Sequence, residues 1–142
     1  MKASVIYWTG TGNTEIMANA IAEGIELEGC DVETIFVSDA TEQDFIDADF
    51  VALGCPAMGD EVLEEYEFEP YLQSIEPYID GKKILLFGSY SWADGQWMID
   101  WVERMNGLGA NLVNSKGITV FETPTDDDVE LCRSEGRRLV KC

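Results

Sequence analysis

The chain of 142 residues has no histidine and only nine Lys and Arg against 28 Asp and Glu. Without histidine there is no imidazole base, so neither a Ser–His nor a Cys–His nucleophile can be assembled. The four cysteines, Cys30, Cys55, Cys132 and Cys142, include no C-x-x-C pair. Zinc and iron–sulfur sites are therefore not expected, and the thiols read as structural or incidental. A net charge of −19 argues against nucleic acid and anionic membrane surfaces as partners. No apolar run approaches the roughly 20 residues of a membrane span, and the N-terminus lacks a signal-peptide core. A single cytoplasmic domain over residues 1–142 is the expectation. Basic residues are also unevenly placed. None lies between Lys2 and Lys82, an interval with nineteen Asp and Glu, so a phosphate bound there would receive no salt bridge.

Against these absences stands one polar loop, Thr9-Gly10-Thr11-Gly12-Asn13-Thr14. It follows the strand-like run Val5-Ile6-Tyr7-Trp8. It precedes Ile16, Met17, Ala20, Ile21, Gly24 and Ile25, which recur at helical spacing. At such a strand-to-helix junction unpaired backbone N–H groups gather, and the helix dipole favours an anion. Gly10 and Gly12 allow close backbone approach, while Thr9, Thr11, Asn13 and Thr14 are neutral donors. A nucleotide-hydrolase P-loop would need Lys where Asn13 stands. The dinucleotide fingerprint would need Gly or Ala where Glu15 stands. Two readings remain, a phosphate nest of neutral donors and a tight turn with Thr as helix cap.

The rest alternates between strand and helix. Residues 31–37 read as a second strand and 41–47 as a short acidic connection with one or two helical turns. Phe50 to Leu53 reads as a buried strand ended by Gly54, and Val62 to Ile75 as helical, with Pro70 kinking it or opening a new helix. Ile84 to Phe87 reads as a strand closed by Gly88, and Trp97 to Leu108 as a helix. Residues 111–121 hold a fifth strand interrupted near Ser115-Lys116-Gly117, and Thr125 caps a last helix with its seam at Val129, Cys132, Gly136, Leu139 and Val140. This pattern predicts an α/β fold, a parallel sheet with helices on both faces. Ligands bind such sheets beyond the carboxyl ends of the strands, so the loops after strands one, three and four should share a crevice. The third-strand loop, Gly54-Cys55-Pro56-Ala57-Met58-Gly59-Asp60-Glu61, carries an apolar Met before two acids. The fourth-strand loop, Gly88-Ser89-Tyr90-Ser91-Trp92-Ala93-Asp94-Gly95, carries two aromatics. Either these rings fold back on the core, or a planar heteroaromatic ligand covers them, stacked between Trp92 and Met58.

A phosphate nest and a flat-ring slot together describe a mononucleotide site. Thr9–Thr14 matches the phosphate-loop motif of the flavodoxins. The segments 54–61 and 88–95 resemble both flavin-flanking loops of the short-chain, clostridial-type members. The resemblance covers essentially the whole chain, and the strand-five region lacks the insertion that marks long-chain members. It implies a flavodoxin-like, doubly wound three-layer α/β/α fold with a five-stranded parallel sheet of order 2-1-3-4-5, a topology for which flavodoxin is itself a standard example. It implies non-covalent FMN, its phosphate held by Thr9, Gly10, Thr11, Gly12, Asn13 and Thr14, and its ring between Met58 and Trp92. The backbone of Gly59 and Asp60 would face flavin N5, Glu61 would approach N3, and Ser89 and Tyr90 would contact the ring or ribityl chain. Pro56, Ala57, Ser91 and Ala93 complete the implied site, with Glu122 and Thr123 as weaker matches. Pro56 replaces a small hydroxyl residue, and Ser91 and Ala93 replace the glycines around the sandwiching Trp.

The implied function is low-potential transfer of single electrons between the semiquinone and hydroquinone of FMN. The partners would be redox proteins with basic docking faces, met by the acids Asp60, Glu61, Glu64, Glu65, Glu67 and Glu69, and the chain would be a monomer. The main alternative is a small FMN-dependent NAD(P)H:quinone reductase, for which no separate nicotinamide platform is visible. A phosphoacceptor receiver domain would need acids where Tyr7-Trp8 and Gly54-Cys55 stand. An acidic interaction domain without a cofactor is the remaining reading.

Overall fold

A computed structural model describes residues 1–59, 61–91 and 95–141. Its elements in chain order are β1 (Lys2–Tyr7), α1 (Asn13–Leu27), β2 (Asp31–Phe36), α2 (Glu42–Ile46), β3 (Phe50–Gly54), α3 (Phe68–Ile75), β4 (Lys83–Tyr90), α4 (Gln96–Gly107), β5 (Asn111–Leu112), β6 (Ile118–Phe121) and α5 (Asp126–Lys141). All strand pairs are parallel, in the order β2-β1-β3-β4-β5. The fifth position is divided. β5 pairs with the start of β4 and β6 with its end, from Phe87 to Tyr90. The interruption expected near 115–117 lies between them, where Gly117 takes a φ of 71° that ends a straight strand.

The central strands β1, β3 and β4 are buried on both faces, as parallel strands are when helices cover them. Alternate residues supply the two layers. Ile6, Val51, Leu53, Ile84 and Leu86 pack with Phe68, Leu72 and Ile75 of α3 and Trp97, Trp101 and Met105 of α4. Val5, Ala52, Leu85 and Phe87 pack with Met17, Ile21 and Ile25 of α1 and Cys132 and Leu139 of α5. Cys30, Cys55 and Cys132 are buried free thiols, with Cys132 pushed up to about 12 by burial and the nearby Asp128 and Glu135, so they are unreactive core residues. Cys142 lies outside the described residues.

Helices α1 and α5 approach backbone to backbone. A Cβ built on Gly24 would run into the Arg133 carbonyl, and one on Gly136 into the Ile21 carbonyl. Gly136→Ala is therefore expected to lower unfolding stability by about 1–3 kcal/mol, the usual cost of overpacking. Urea unfolding monitored by circular dichroism reads this directly, and an unchanged midpoint would mean the helices separate without cost.

Two elements depart from expectation. The segment 62–67 is not helical, although Val62, Leu63 and Tyr66 fall at helical spacing; α3 starts at Phe68, with Pro70 in its first turn. The cause is Glu64. Its carboxylate accepts the backbone N–H groups of Tyr66 (2.9 Å), Glu67 (2.7 Å) and Phe68 (2.9 Å), so the chain wraps around a side chain before the helix begins. Strand β4 also continues past Gly88 to Tyr90, because β6 supplies a pairing partner as far as Phe121.

Candidate functional site

The carboxyl ends of the central strands are in register. Tyr7 of β1 lies opposite Gly54 of β3, and Gly54 opposite Phe87 of β4. Backbone hydrogen bonds continue the lacing beyond the strands: Trp8 N–H to the Gly54 carbonyl (3.0 Å), Ala57 N–H to Ser89 (3.0 Å) and Glu122 N–H to Tyr90 (2.7 Å). Four loops are thereby held around one cleft of about 390 Å³, within the range of small-molecule sites. Gly10, Thr11, Asn13, Pro56, Ala57, Met58, Gly59, Ser89, Tyr90 and Ser91 line it, together with Trp8, Glu122 and Thr123.

The first loop is shaped as a cradle. Gly12 caps α1 with a φ of 93°, a left-handed conformation that an L side chain adopts only at a cost, and no side chain caps the helix. The first N–H groups of α1 consequently carry no intrahelical bond, and they point towards the cleft end of the helix. Thr9 Oγ1 accepts the Gly12 N–H at 3.0 Å, which closes the loop on itself. Thr14 is buried, and its hydroxyl lies 3.1 Å from that of Ser89, joining the loop to β4. Thr9, Gly12 and Thr14 thus shape the loop from behind, while Gly10, Thr11 and Asn13 face the cleft. A Cβ on Gly10 would sit 3.0 Å from the tip of the Trp8 ring, which would have to give way slightly.

The second loop turns at Met58–Glu61, closed by Glu61 N–H to the Met58 carbonyl at 2.8 Å. Glu61 has a φ of 58°. Its carboxylate reaches α4, where Oε2 accepts the Trp97 N–H at 2.7 Å. Tyr90 faces the cleft and also packs on Trp97 and Phe121, with ring centroids 5.7 and 5.4 Å away. That ring thus folds back on the core in part and also borders the cleft. Asp60, Trp92 and Ala93 lie outside the described residues.

The acids expected to form one docking surface divide by role. Glu64 is 4% exposed and consumed by the turn. Glu69 forks onto Arg104, both contacts at 2.7 Å, and that pairing holds its carboxyl below the usual range. Glu65, Tyr66 and Glu67 remain at the surface, with Tyr66 87% exposed. Glu67 Oε1 accepts the Trp8 indole N–H at 3.1 Å. Trp8 is the lining residue that sequence reasoning missed. It reads as the end of an apolar strand, and its place one residue before the polar loop was the available signal.

The residues fit a nucleotide phosphate and a flat ring. Open space lies beyond the α-carbon of Gly59 on the cleft wall, where an added Cβ would meet nothing within 4 Å. The donors of the first loop are neutral, and methionine and tyrosine side chains also line the cleft. Among the described residues there is no cluster of three or more potential metal ligands, and no helix is long and apolar enough to cross a membrane.

Comparison with known proteins agrees with this geometry. A sequence model of the flavodoxin family matches residues 5–136. The chain is 48% identical over 135 residues to the flavodoxin of Clostridium beijerinckii, covering 95% of this chain and 96% of that protein. It is 40% identical over 137 residues to the flavodoxin of Megasphaera elsdenii, covering 96% and 97%. The solution structure of the two-electron reduced Megasphaera elsdenii flavodoxin superposes with a TM-score of 0.86 at 38% identity, over 99% of each chain.

Proposed function

The chain belongs to the flavodoxin family, and from that premise we propose that the four-loop cleft is where it holds FMN, with Thr9–Thr14 around the phosphate. Flavodoxins bind FMN and carry electrons between proteins; the chain is an electron carrier rather than a turnover enzyme, and the quinone-reductase alternative is not favoured. Bound FMN supplies the redox chemistry by accepting and releasing single electrons. In our reading Met58 and Trp92 hold the two faces of the ring, Gly59 and Asp60 present backbone at its N5 edge, and Glu61 stands near N3. Pro56, Ala57, Ser89, Tyr90, Ser91 and Ala93 complete the walls. The observation that carries this reading is the meeting of a neutral N–H cradle with the β3 and β4 loops around one cleft.

The protein's charge sets the direction of the potentials. A carboxylate about 12 Å from the ring, at an effective dielectric near 20, opposes added negative charge by roughly 1.4 kcal/mol before screening. For a one-electron couple that is about 59 mV. With a net charge of −19 the second potential should be low. Anaerobic photoreduction followed by absorbance from about 300 to 700 nm tests the site: a yellow protein that turns blue and then bleaches supports it, and a colourless protein that ignores added FMN sinks it.

Partners would dock beside the cleft. Glu65 and Glu67 flank the exposed Tyr66 there, a surface suited to a basic face. Reduction by a partner reductase is expected to slow as ionic strength rises; a rate independent of salt between about 20 and 300 mM would refute the docking claim. A monomer over residues 1–142 is our further reading, supported by the mutual repulsion of two copies of such charge. The cytoplasm, which keeps thiols reduced, suits the three buried free cysteines.

A further inference from the structure

Helices α1, α2 and α5 each carry an acid at their third residue, and α1 uses it differently. At α2 the Asp44 carboxylate accepts the Thr41 N–H at 2.8 Å, and the Thr41 hydroxyl accepts the Asp44 N–H at 3.2 Å, a reciprocal cap. At α5 Asp128 and Thr125 make the same pair, at 2.9 and 3.2 Å. In both, the acid turns back over the start of its own helix, where free N–H groups and the helix dipole attract it. The corresponding acid of α1 is Glu15, which stands where a dinucleotide fingerprint would have Gly or Ala. The start of α1 is the phosphate cradle. A Glu15 carboxylate turned back in the same way would fill that cradle with an internal anion.

Two hydrogen bonds oppose this. The Tyr7 hydroxyl donates to Glu15 Oε2 at 2.8 Å. The Gly12 N–H, the group that a returning carboxylate would take, is given to Thr9 Oγ1 at 3.0 Å. The first intrahelical bond of α1 runs from the Ile16 N–H to the Gly12 carbonyl, so the N–H groups of Asn13, Thr14 and Glu15 precede it. Tyr7 is itself fixed. It is the last residue of β1, is buried, and meets Phe36 of β2 edge-on with ring centroids 5.7 Å apart. Burial and the bond to Glu15 push its hydroxyl up to about 12, so it remains a donor at neutral pH.

We propose that Tyr7 is a positioning residue for the phosphate cradle: its hydroxyl holds the Glu15 carboxylate off the start of α1, and so keeps the cradle open to the phosphate of FMN. The inference rests on the reading of the cleft as the FMN site. Its consequence is preorganisation. Without the hydroxyl, the acid of α1 caps its own helix as those of α2 and α5 do, and the phosphate has to displace it. The effect is confined to the phosphate end, so a flavin without phosphate does not feel it.

The test compares the wild type, Tyr7→Phe, Glu15→Ala and the double variant, each as the full chain freed of flavin. Phenylalanine retains the ring and its packing and removes only the hydroxyl. Tyr7→Phe is expected to raise the FMN dissociation constant about 5–20-fold, the size of one helix cap. The riboflavin dissociation constant should stay within about twofold, and so should that of FMN when the same change is made in the Glu15→Ala background. In ¹⁵N–¹H spectra without flavin, the Gly12 amide resonance is expected to move on Tyr7→Phe and to stay in place in the Glu15→Ala background. A loss of FMN affinity that Glu15→Ala does not relieve would assign Tyr7 to packing and overturn the proposal. So would an unchanged FMN affinity in Tyr7→Phe, a Gly12 resonance that does not move, or equal weakening of FMN and riboflavin. A wild type that binds FMN no more tightly than riboflavin would bring down the cradle reading and the positioning role together. Tight, phosphate-dependent wild-type binding with no coupling between Tyr7 and Glu15 would bring down the positioning role only.

Discussion

In a redox titration, Gly59→Thr is expected to move each of the two one-electron potentials of the bound flavin towards the other by about 45–90 mV, while oxidised FMN binds almost as it does to the wild type. Gly59 is exposed, and a Cβ built on it meets nothing within 4 Å, so the substitution fits the turn as it stands. The cost arises when the turn changes. The resemblance to the flavodoxins implies that the Gly59 peptide would reverse on reduction, offering its carbonyl towards N5 of the flavin. A β-branched residue reaches the required backbone angles only at about 1–2 kcal/mol. For a one-electron couple this corresponds to about 45–90 mV. The Glu61 N–H bond to the Met58 carbonyl and the α4 anchor of the Glu61 side chain fix the far end of the turn. Potentials that match the wild type within about 10 mV would mean that no such reversal accompanies reduction.

The second large effect concerns the phosphate cradle. Thr11→Asp is expected to weaken FMN binding about 100-fold or more, and to leave riboflavin, which lacks the phosphate, nearly unaffected. Thr11 lines the cleft at the mouth of α1. A carboxylate about 5 Å from a phosphate of about −1.5 charges is opposed by roughly 5 kcal/mol at an effective dielectric near 20. If solvent around this exposed position halves that figure, about a hundredfold loss remains. The first half of the chain holds no Lys or Arg after Lys2 to offset it. The loss should shrink in high salt. Comparable weakening of FMN and riboflavin would show that the loop holds something other than the phosphate, and would move the site's anchor to the ring.

Much of the site was legible in residue types. The order of strands and helices follows from the periodicity of apolar residues, and buried parallel strands such as Phe50–Gly54 are apolar throughout because both faces are covered. The cradle was legible because only glycine reaches the φ of 93° at Gly12 at little cost, and because neutral donors at a strand-to-helix junction have few other uses. The loops after β3 and β4 were legible as partners of that cradle because parallel topology puts the carboxyl ends of neighbouring strands together.

Other features depended on contacts between residues far apart in the chain. The spacing of Val62, Leu63 and Tyr66 is helical, yet Glu64 takes the N–H groups of residues 66 to 68 with its side chain, and no pattern of apolar residues reports that. Strand β4 runs past Gly88 because β6 lies beside it, a pairing settled by the sheet rather than by the glycine. Glu61, expected at the flavin, also gives one carboxylate oxygen to α4, and Trp8, read as strand, lines the cleft. In each case a local preference worth a few tenths of a kcal/mol is outweighed by a hydrogen bond or burial worth about one or more. By itself, the sequence determined the fold class, the cradle and the charge, because these rest on backbone stereochemistry, apolar period and composition. The direction of each side chain around the cleft was decided only when the helices packed against the sheet, because that packing chooses which buried donor meets which acceptor.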